Sequence, residues 1–324
     1  MSEHIHSNSS DGYIFTIVEL STMKGFSTVI KRAIERAYPY CNISLAPHMK
    51  NNGLTLLGLT ITDMKYHLAP TFYLDSYFQE YKQGRSLESI CEHIIQMYDE
   101  NRPDSSFPID KYTIFDNVSD RICYKLINYE ANKSLLESMP YIPYLDLAIV
   151  FYLPIEEADL SGTINITNSL MKMWDITSAF TLFDYAHANT ENHLGFRYGT
   201  MSEIVNNILP PAAIKEEFLE LLNEDALPIY IATNANNLYG SCCLLYENAL
   251  EIFAEMIGTN YYILPSSLHE ILLVPEDDDA NAAVLTAMVQ DVNITSLSPD
   301  EILSNHVYYY DQSRKKLIVC TKRK

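Results

Sequence analysis

From Leu227 onward the apolar residues arrive as short runs in adjacent pairs, and a segment of helical period separates one pair from the next. Leu227–Thr233 and Ser241–Tyr246 precede the helical stretch Asn248–Ile257. Tyr261–Leu264 and His269–Val274 precede Ala280–Val292, and His306–Tyr310 and Lys316–Cys320 come last. Parallel strands need a crossover of about a dozen residues or more, so two runs joined by a few residues pair antiparallel. The order predicts an α+β fold, mostly antiparallel sheets with helices packed on one face, and argues against a doubly wound parallel sheet.

The first half obeys the same logic. Phe26, Val29, Ile30, Ala33, Ile34 and Ala37 fall on one helix face, and Pro39 marks that helix's end. A strand at Cys41–Leu45 meets Asn51-Asn52-Gly53, a hairpin turn because Asn and Gly accept positive φ, and Leu54–Ile61 returns. Tyr66–Tyr73 reads as a third strand, and Leu74–Gln83 and Leu87–Tyr98 read as helices, the second capped by Ser86 ahead of Glu88. Strands follow at Arg121–Asn128, Tyr144–Leu153 and Gly162–Thr167, the last two joined by the acidic connection Glu156–Asp159, and then one long helix over Leu170–His187. The organisation expected is a disordered leader over residues 1–12, an α+β domain over 13–205 with a linker at Pro103–Pro108, and a second α+β domain over 206–324. The boundary is set by Leu209-Pro210-Pro211, with Pro211 at the first turn of a helix Ala213–Asn223.

Charge narrows the partners. With 42 acidic and 22 basic residues the formal charge is −20, a field that repels phosphate backbones and anionic lipid, so neither nucleic acid nor a membrane is the expected partner. The basic run Arg314, Lys315, Lys316, Lys322, Arg323 and Lys324 reads as a solvated tail, with a local contact to an acidic partner as the alternative. No apolar stretch reaches the roughly 18–20 residues of a membrane span, and the N-terminus lacks the pattern of a secretory signal. The 6 cysteines include no Cys-x-x-Cys, which fits free thiols in a reducing cytoplasm and argues against a zinc ribbon. Neither GxxxxGK[ST], GxGxxG nor GxSxG occurs, so no cofactor and no metal is expected. The 24 tyrosines place part of the aromatic content on rims and surfaces.

Three polar clusters could carry function. Leu264-Pro265-Ser266-Ser267-Leu268-His269-Glu270 gathers hydroxyls, an imidazole and a carboxylate between two apolar runs. A serine beside a histidine becomes a nucleophile when the ring takes its proton and a carboxylate orients the ring. Neighbouring strand residues point to opposite faces, however, so His269 and Glu270 should diverge, and the serines suit the backbone of a tight turn. A lone His-Glu without a second histidine is not a zinc-protease motif. Asn234, Asn236, Asn237 and Tyr239 form an amide-rich loop that reads either as an elaborate hairpin or as a pocket rim, able to converge with the serine turn if their strands are neighbours. Asn189–His193 with Phe196–Met201 is the third cluster, where Arg197 would receive an anion or pair with a carboxylate. Glu276–Asp279 lacks the alternating spacing of a calcium loop and reads as acidic support for the helix from Ala280.

Asn51-Asn52-Gly53 with Leu57–Thr60, Pro70–Asp75, Tyr124–Tyr129, Leu145–Tyr152 and the Leu264–Glu270 block together resemble a bacterial domain-of-unknown-function family of gut Gram-positive bacteria and their mobile elements. The resemblance implies a cytoplasmic bacterial protein of one architecture from end to end, and brings no activity, cofactor or catalytic residue. Two functions follow from the residues: a non-enzymatic module binding a protein or small molecule, and, as the alternative, a hydrolase-like or transferase-like enzyme using the Ser/His/Glu cluster.

Overall fold

Local chemistry sets each element of the first unit. In helix α1 (Met23–Ala37), Thr22 caps the start by accepting from Gly25 N–H at 3.1 Å, and Phe26, Ile30 and Ile34 are buried on one face. Strands β1 (Asn42–Met49) and β2 (Thr55–Thr62) pair antiparallel with Ile43 opposite Ile61 and Leu45 opposite Leu59, and β3 (Thr71–Tyr73) pairs with β2. The period of two puts Leu59 and Ile61 on one side of the hairpin, where they join the α1 face. Helices α2 (Leu74–Lys82) and α3 (Leu87–Asn101) complete this core with Leu74, Phe78, Ile90, Ile94 and Tyr98. As expected, Ser86 caps α3, accepting from Ser89 N–H at 3.2 Å.

These elements come from a computed structural model that describes residues 20–63, 69–101, 108–157, 160–200, 229–277 and 281–320. The expected leader, the linker before Pro108, Tyr66, Pro210-Pro211, the helix Ala213–Asn223 and the tail from Lys322 lie outside the described residues. The chain divides into two compact units, one of residues up to Lys50 with Thr55–Ile109 and Glu157–Leu160, the other of Asn51–Leu54, Asp110–Glu156 and Ser161 onward. A boundary at 205/206 would run through the second unit, because one sheet takes strands from both sides of it.

That second unit holds two antiparallel sheets. In the first, β4 (Cys123–Asn128) and β5 (Tyr141–Tyr144) flank β6 (Leu147–Glu157), and β7 (Leu160–Asn165) also pairs with β6. Leu147 through Leu153 are all buried, so this sheet is covered on both faces. The second sheet has the order β13-β12-β10-β11-β9-β8, formed by β8 (Arg197–Thr200), β9 (Tyr230–Thr233), β10 (Tyr261–Leu264), β11 (Ile271–Pro275), β12 (Val307–Asp311) and β13 (Lys316–Cys320). Helix α4 (Asn168–Met173) and helix α5 (Ala179–Leu194) follow the first sheet; α6 (Ala249–Ile257) and α7 (Ala282–Thr295) belong with the second, where Leu285 and Val289 pack on Leu264, Val274 and Val307. The α+β class and the antiparallel pairing hold throughout.

Four elements depart from the sequence reading. Ser241–Tyr246 is not a strand: Gly240–Leu245 is a 3₁₀ turn with Cys242, Cys243 and Leu244 buried, and a short apolar run buried on every side carries no period to tell strand from helix. The strand expected over Tyr144–Leu153 starts only at Leu147: Tyr144 ends β5, and Leu145 at φ 56 turns the chain between β5 and β6 and leaves Asp146 on the turn. The long helix Leu170–His187 is two, separated where Asp175 sits at φ 57 and Ser178 caps α5 anew. Helix α7 starts at Ala282 under an Asn281 cap and has no acidic residue in its first turn; Asp278 and Asp279 lie outside the described residues.

Candidate functional site

Strand neighbours bring the first two clusters together. Strand β11 pairs with β10 and β9, so the turn before β11 and the loop after β9 leave adjacent strands. Gly240 makes that meeting close: a Cβ there would sit 2.1 Å from Thr233 Oγ1 and 2.3 Å from the His269 carbonyl. The side chain of Tyr239 stacks on His269, with centroids 5.9 Å apart and planes at 13°.

The polar atoms of the serine turn are taken up within the protein. Ser267 Oγ accepts from His269 N–H at 3.0 Å and bonds the Glu270 carboxyl. His269 Nδ1 accepts from Tyr239 N–H at 3.3 Å, which puts the ring proton on Nε2, and Nε2 stands 4.0 Å from Glu301 Oε1. Thr233 Oγ1 donates to the His269 carbonyl at 2.7 Å, and Ser241 Oγ to the Leu268 carbonyl at 2.8 Å. Main-chain bonds link the Ser266 and Pro265 carbonyls to Leu303 and Ser304 N–H, and Ser267 bridges Ile302. The serine hydroxyl therefore bonds a main-chain amide and a carboxyl, and the ring nitrogen that would have to take its proton is accepting from Tyr239. Burial pushes the Glu270 carboxyl up, and Glu301 adds to the rise against the Ser267 hydrogen bond and the His269 ring.

The asparagine loop is an organised turn of the backbone. Asn234 is fully buried; its Oδ1 accepts from Asn236 N–H at 3.1 Å and Leu238 N–H at 3.3 Å, and its Nδ2 donates to the Leu238 carbonyl at 2.7 Å. Asn237 and Tyr239 adopt φ 53 and 56. Asn236 and Asn237 are exposed, and the loop runs from β9 into a 3₁₀ turn, so it is not a hairpin. Arg197 is exposed on the edge strand β8, in register with Thr233, one residue from this loop. In the third cluster Asn189 donates to the Ser119 and Ile122 carbonyls at 2.8 and 3.2 Å, and Thr190 Oγ1 accepts from Tyr124 N–H at 3.0 Å, which pins α5 to the approach to β4.

Sequence reasoning missed three groups. Lys125 Nζ lies 4.1 Å from the Tyr239 ring centroid, 5.6 Å from that of Tyr152, and 3.0 Å from Asn165 Oδ1. Asp146 accepts from Ser304 Oγ at 2.7 Å and from the Tyr308 hydroxyl, and bonds His306 Nδ1 at 2.8 Å. Ser304, His306 and Tyr308 are spaced by two on the approach to and start of β12 (Val307–Asp311), a period that could have flagged one polar face. The third is apolar. Phe115 packs on Trp174 and Tyr185 with centroids 5.7 and 5.2 Å apart, and Trp174 Nε1 donates to the Thr113 carbonyl at 3.0 Å. On the same chain segments Ile114, Met173, Phe180 and Tyr185 are 49%, 63%, 66% and 42% exposed.

Burial pushes the Cys91 thiol up to about 11 and the Cys242 thiol up to about 12, away from the thiolate range of a nucleophile. Among the described residues no group of three His, Cys, Asp or Glu could hold a metal ion, and no helix is long and apolar enough to cross a membrane. A model of a family of unknown function, DUF5688, matches residues 23–312. No curated protein and no solved structure matches the chain.

Proposed function

The chain belongs to the DUF5688 family of unknown function, and we propose that it is a non-enzymatic protein-interaction module. The observation that carries this reading is the ring cluster Phe115, Trp174 and Tyr185, in which Tyr185 is 42% exposed and the chain neighbours Ile114 and Met173 are exposed. Scattered exposed apolar residues need no explanation, but side chains gathered on a packed aromatic base are the anatomy of a contact surface. The reading is supported by the opposite condition of the serine turn, whose hydroxyl and imidazole hold the fold together. A cytoplasmic location is part of the proposal, in keeping with six free thiols.

Site-specific photo-cross-linking tests it. A benzophenone side chain at Phe180, introduced in the native host cell, should give a discrete adduct that disappears when Met173→Ser and Tyr185→Ser are added. An unchanged adduct pattern in that variant contradicts the proposal.

A second reading, hydrolase-like or transferase-like catalysis, is favoured by one observation: the raised Glu270 carboxyl beside His269 and Glu301. Turnover of chromogenic esters or phosphodiesters by the natural protein, lost in both Ser267→Ala and Glu270→Gln, would support it.

A further inference from the structure

An imidazole in the condition that the serine turn denies to His269 stands elsewhere in the same unit. Leu145 at φ 56, a conformation leucine rarely adopts, holds Asp146 on the turn between β5 and β6. The Asp146 carboxylate meets Ser304 Oγ at 2.7 Å, His306 Nδ1 at 2.8 Å and the Tyr308 hydroxyl. Burial, and next the Asp146 charge, push the Tyr308 hydroxyl well up, so it stays protonated and donates. Ser304 Oγ in turn accepts from His306 N–H at 2.9 Å, which ties the histidine to the carboxylate through main chain and ring alike. Among the described residues no lysine or arginine pairs with Asp146, so its charge faces the imidazole alone. An ionised carboxylate can only accept, so His306 Nδ1 carries the ring proton and Nε2 keeps its lone pair. The His306 side chain is 48% exposed, and its Nε2 makes no hydrogen bond among the described residues.

We infer that His306 is a general base, oriented by Asp146, that takes a proton from water in the hydrolysis of an uncharged carboxylic ester. Nε2 accepts that proton while the water oxygen bonds the ester carbonyl carbon; the carbon–oxygen bond to the leaving group then breaks, and the departing alkoxide takes the proton back from Nε2. The products are the acid and the alcohol, and the Nδ1 proton never leaves the ring, because Asp146 stabilises the imidazolium between the two transfers. Anionic phosphate esters are disfavoured by the same carboxylate and by the net charge of −20. This inference rests on the catalytic reading above and places the base at His306, whose Nε2 is open, and not at His269, whose Nδ1 is taken by Tyr239 N–H. The interaction role of the aromatic patch does not depend on it.

Hydrolysis of p-nitrophenyl acetate by the full chain tests it, measured against free imidazole at nine equivalents because the chain has 9 histidines. The natural protein should exceed that background. His306→Asn keeps a side-chain N–H for Asp146 but has no nitrogen lone pair, and should fall to the background, whereas Ser267→Ala should keep the full rate. Asp146 acts through the ring as a positioning residue, so Asp146→Asn should lower kcat about tenfold with KM unchanged. Turnover abolished by Ser267→Ala and Glu270→Gln but kept in His306→Asn upholds the catalytic reading and overturns this inference; no turnover above the imidazole background overturns both. Should far-ultraviolet dichroism show His306→Asn unfolded, the natural protein decides. Diethyl pyrocarbonate, which acylates neutral imidazole, should then remove turnover in step with the adduct at His306 read by mass spectrometry, and hydroxylamine should restore it. Turnover that persists with His306 fully acylated overturns the inference.

Discussion

The turn around His269 and the patch around Phe115 belong to one unit and use aromatic rings in opposite ways. At the turn, Tyr239 lies on His269 while hydroxyls, amides and carbonyls close on one another, so the most reactive-looking residues are structural. At the patch, Phe115 packs edge to face on Tyr185 and tilted on Trp174 without any reactive group, and the chain neighbours Ile114 and Met173 are exposed. Chemical potential in a side chain is thus a poor guide to function until its hydrogen bonds are assigned, whereas exposure on a rigid base is informative at once.

The contrast can be broken most severely at Gly240. An added Cβ meets the His269 carbonyl, which is backbone and cannot swing aside, so Gly240→Ala should destabilise the protein by about 3 kcal/mol in urea unfolding. Next is Asp146→Ala, which strips Ser304, His306 and Tyr308 of one shared carboxylate and should cost about 2 kcal/mol in the same assay. Ser267→Ala removes the acceptor of His269 N–H and the hydroxyl bonded to the Glu270 carboxyl, and should cost about 1 kcal/mol while leaving cross-linking at the patch intact.

Glu270 sharpens the comparison through pH. Its folded-state value is raised by burial, so the native state favours the protonated acid. Stability from this group is fully present below the unfolded glutamate value of about 4.3 and is lost as pH rises through the folded value. Glu270→Gln should therefore match the natural protein in acid and exceed it at neutral pH by about 1 kcal/mol or less, seen as melts that diverge with rising pH. The smallest effect belongs to the patch: Met173→Ser should change stability by no more than about 0.5 kcal/mol, because its side chain is 63% exposed, and Tyr185→Ser, which loses an edge-to-face contact with Phe115, should cost about 1 kcal/mol.

Much of the fold was legible because it rests on local periods. The face Phe26, Ile30, Ile34 and the turn Asn52-Gly53, with φ 57 and 71, are written in adjacent residues. The convergence of the asparagine loop with the serine turn was also within reach, since both leave strands of one sheet. Illegible was whatever depends on distant residues: whether Cys242–Leu244 is covered on every side, that Asp146 meets His306, and that Phe115 finds Trp174 and Tyr185. Asn51 and Asn52 show the same limit. Beyond forming the turn, they donate to the carbonyls of Asp300, Pro299 and Ile302, a task no local pattern announces.

One paired measurement goes straight to the contrast between turn and patch. With the benzophenone fixed at Phe180, adduct formation is compared in Ser267→Ala and in Met173→Ser/Tyr185→Ser, each shown by dichroism to be folded. An adduct that survives the serine change and vanishes with the patch is the outcome expected here; one that vanishes with Ser267→Ala and survives loss of the patch would contradict the account.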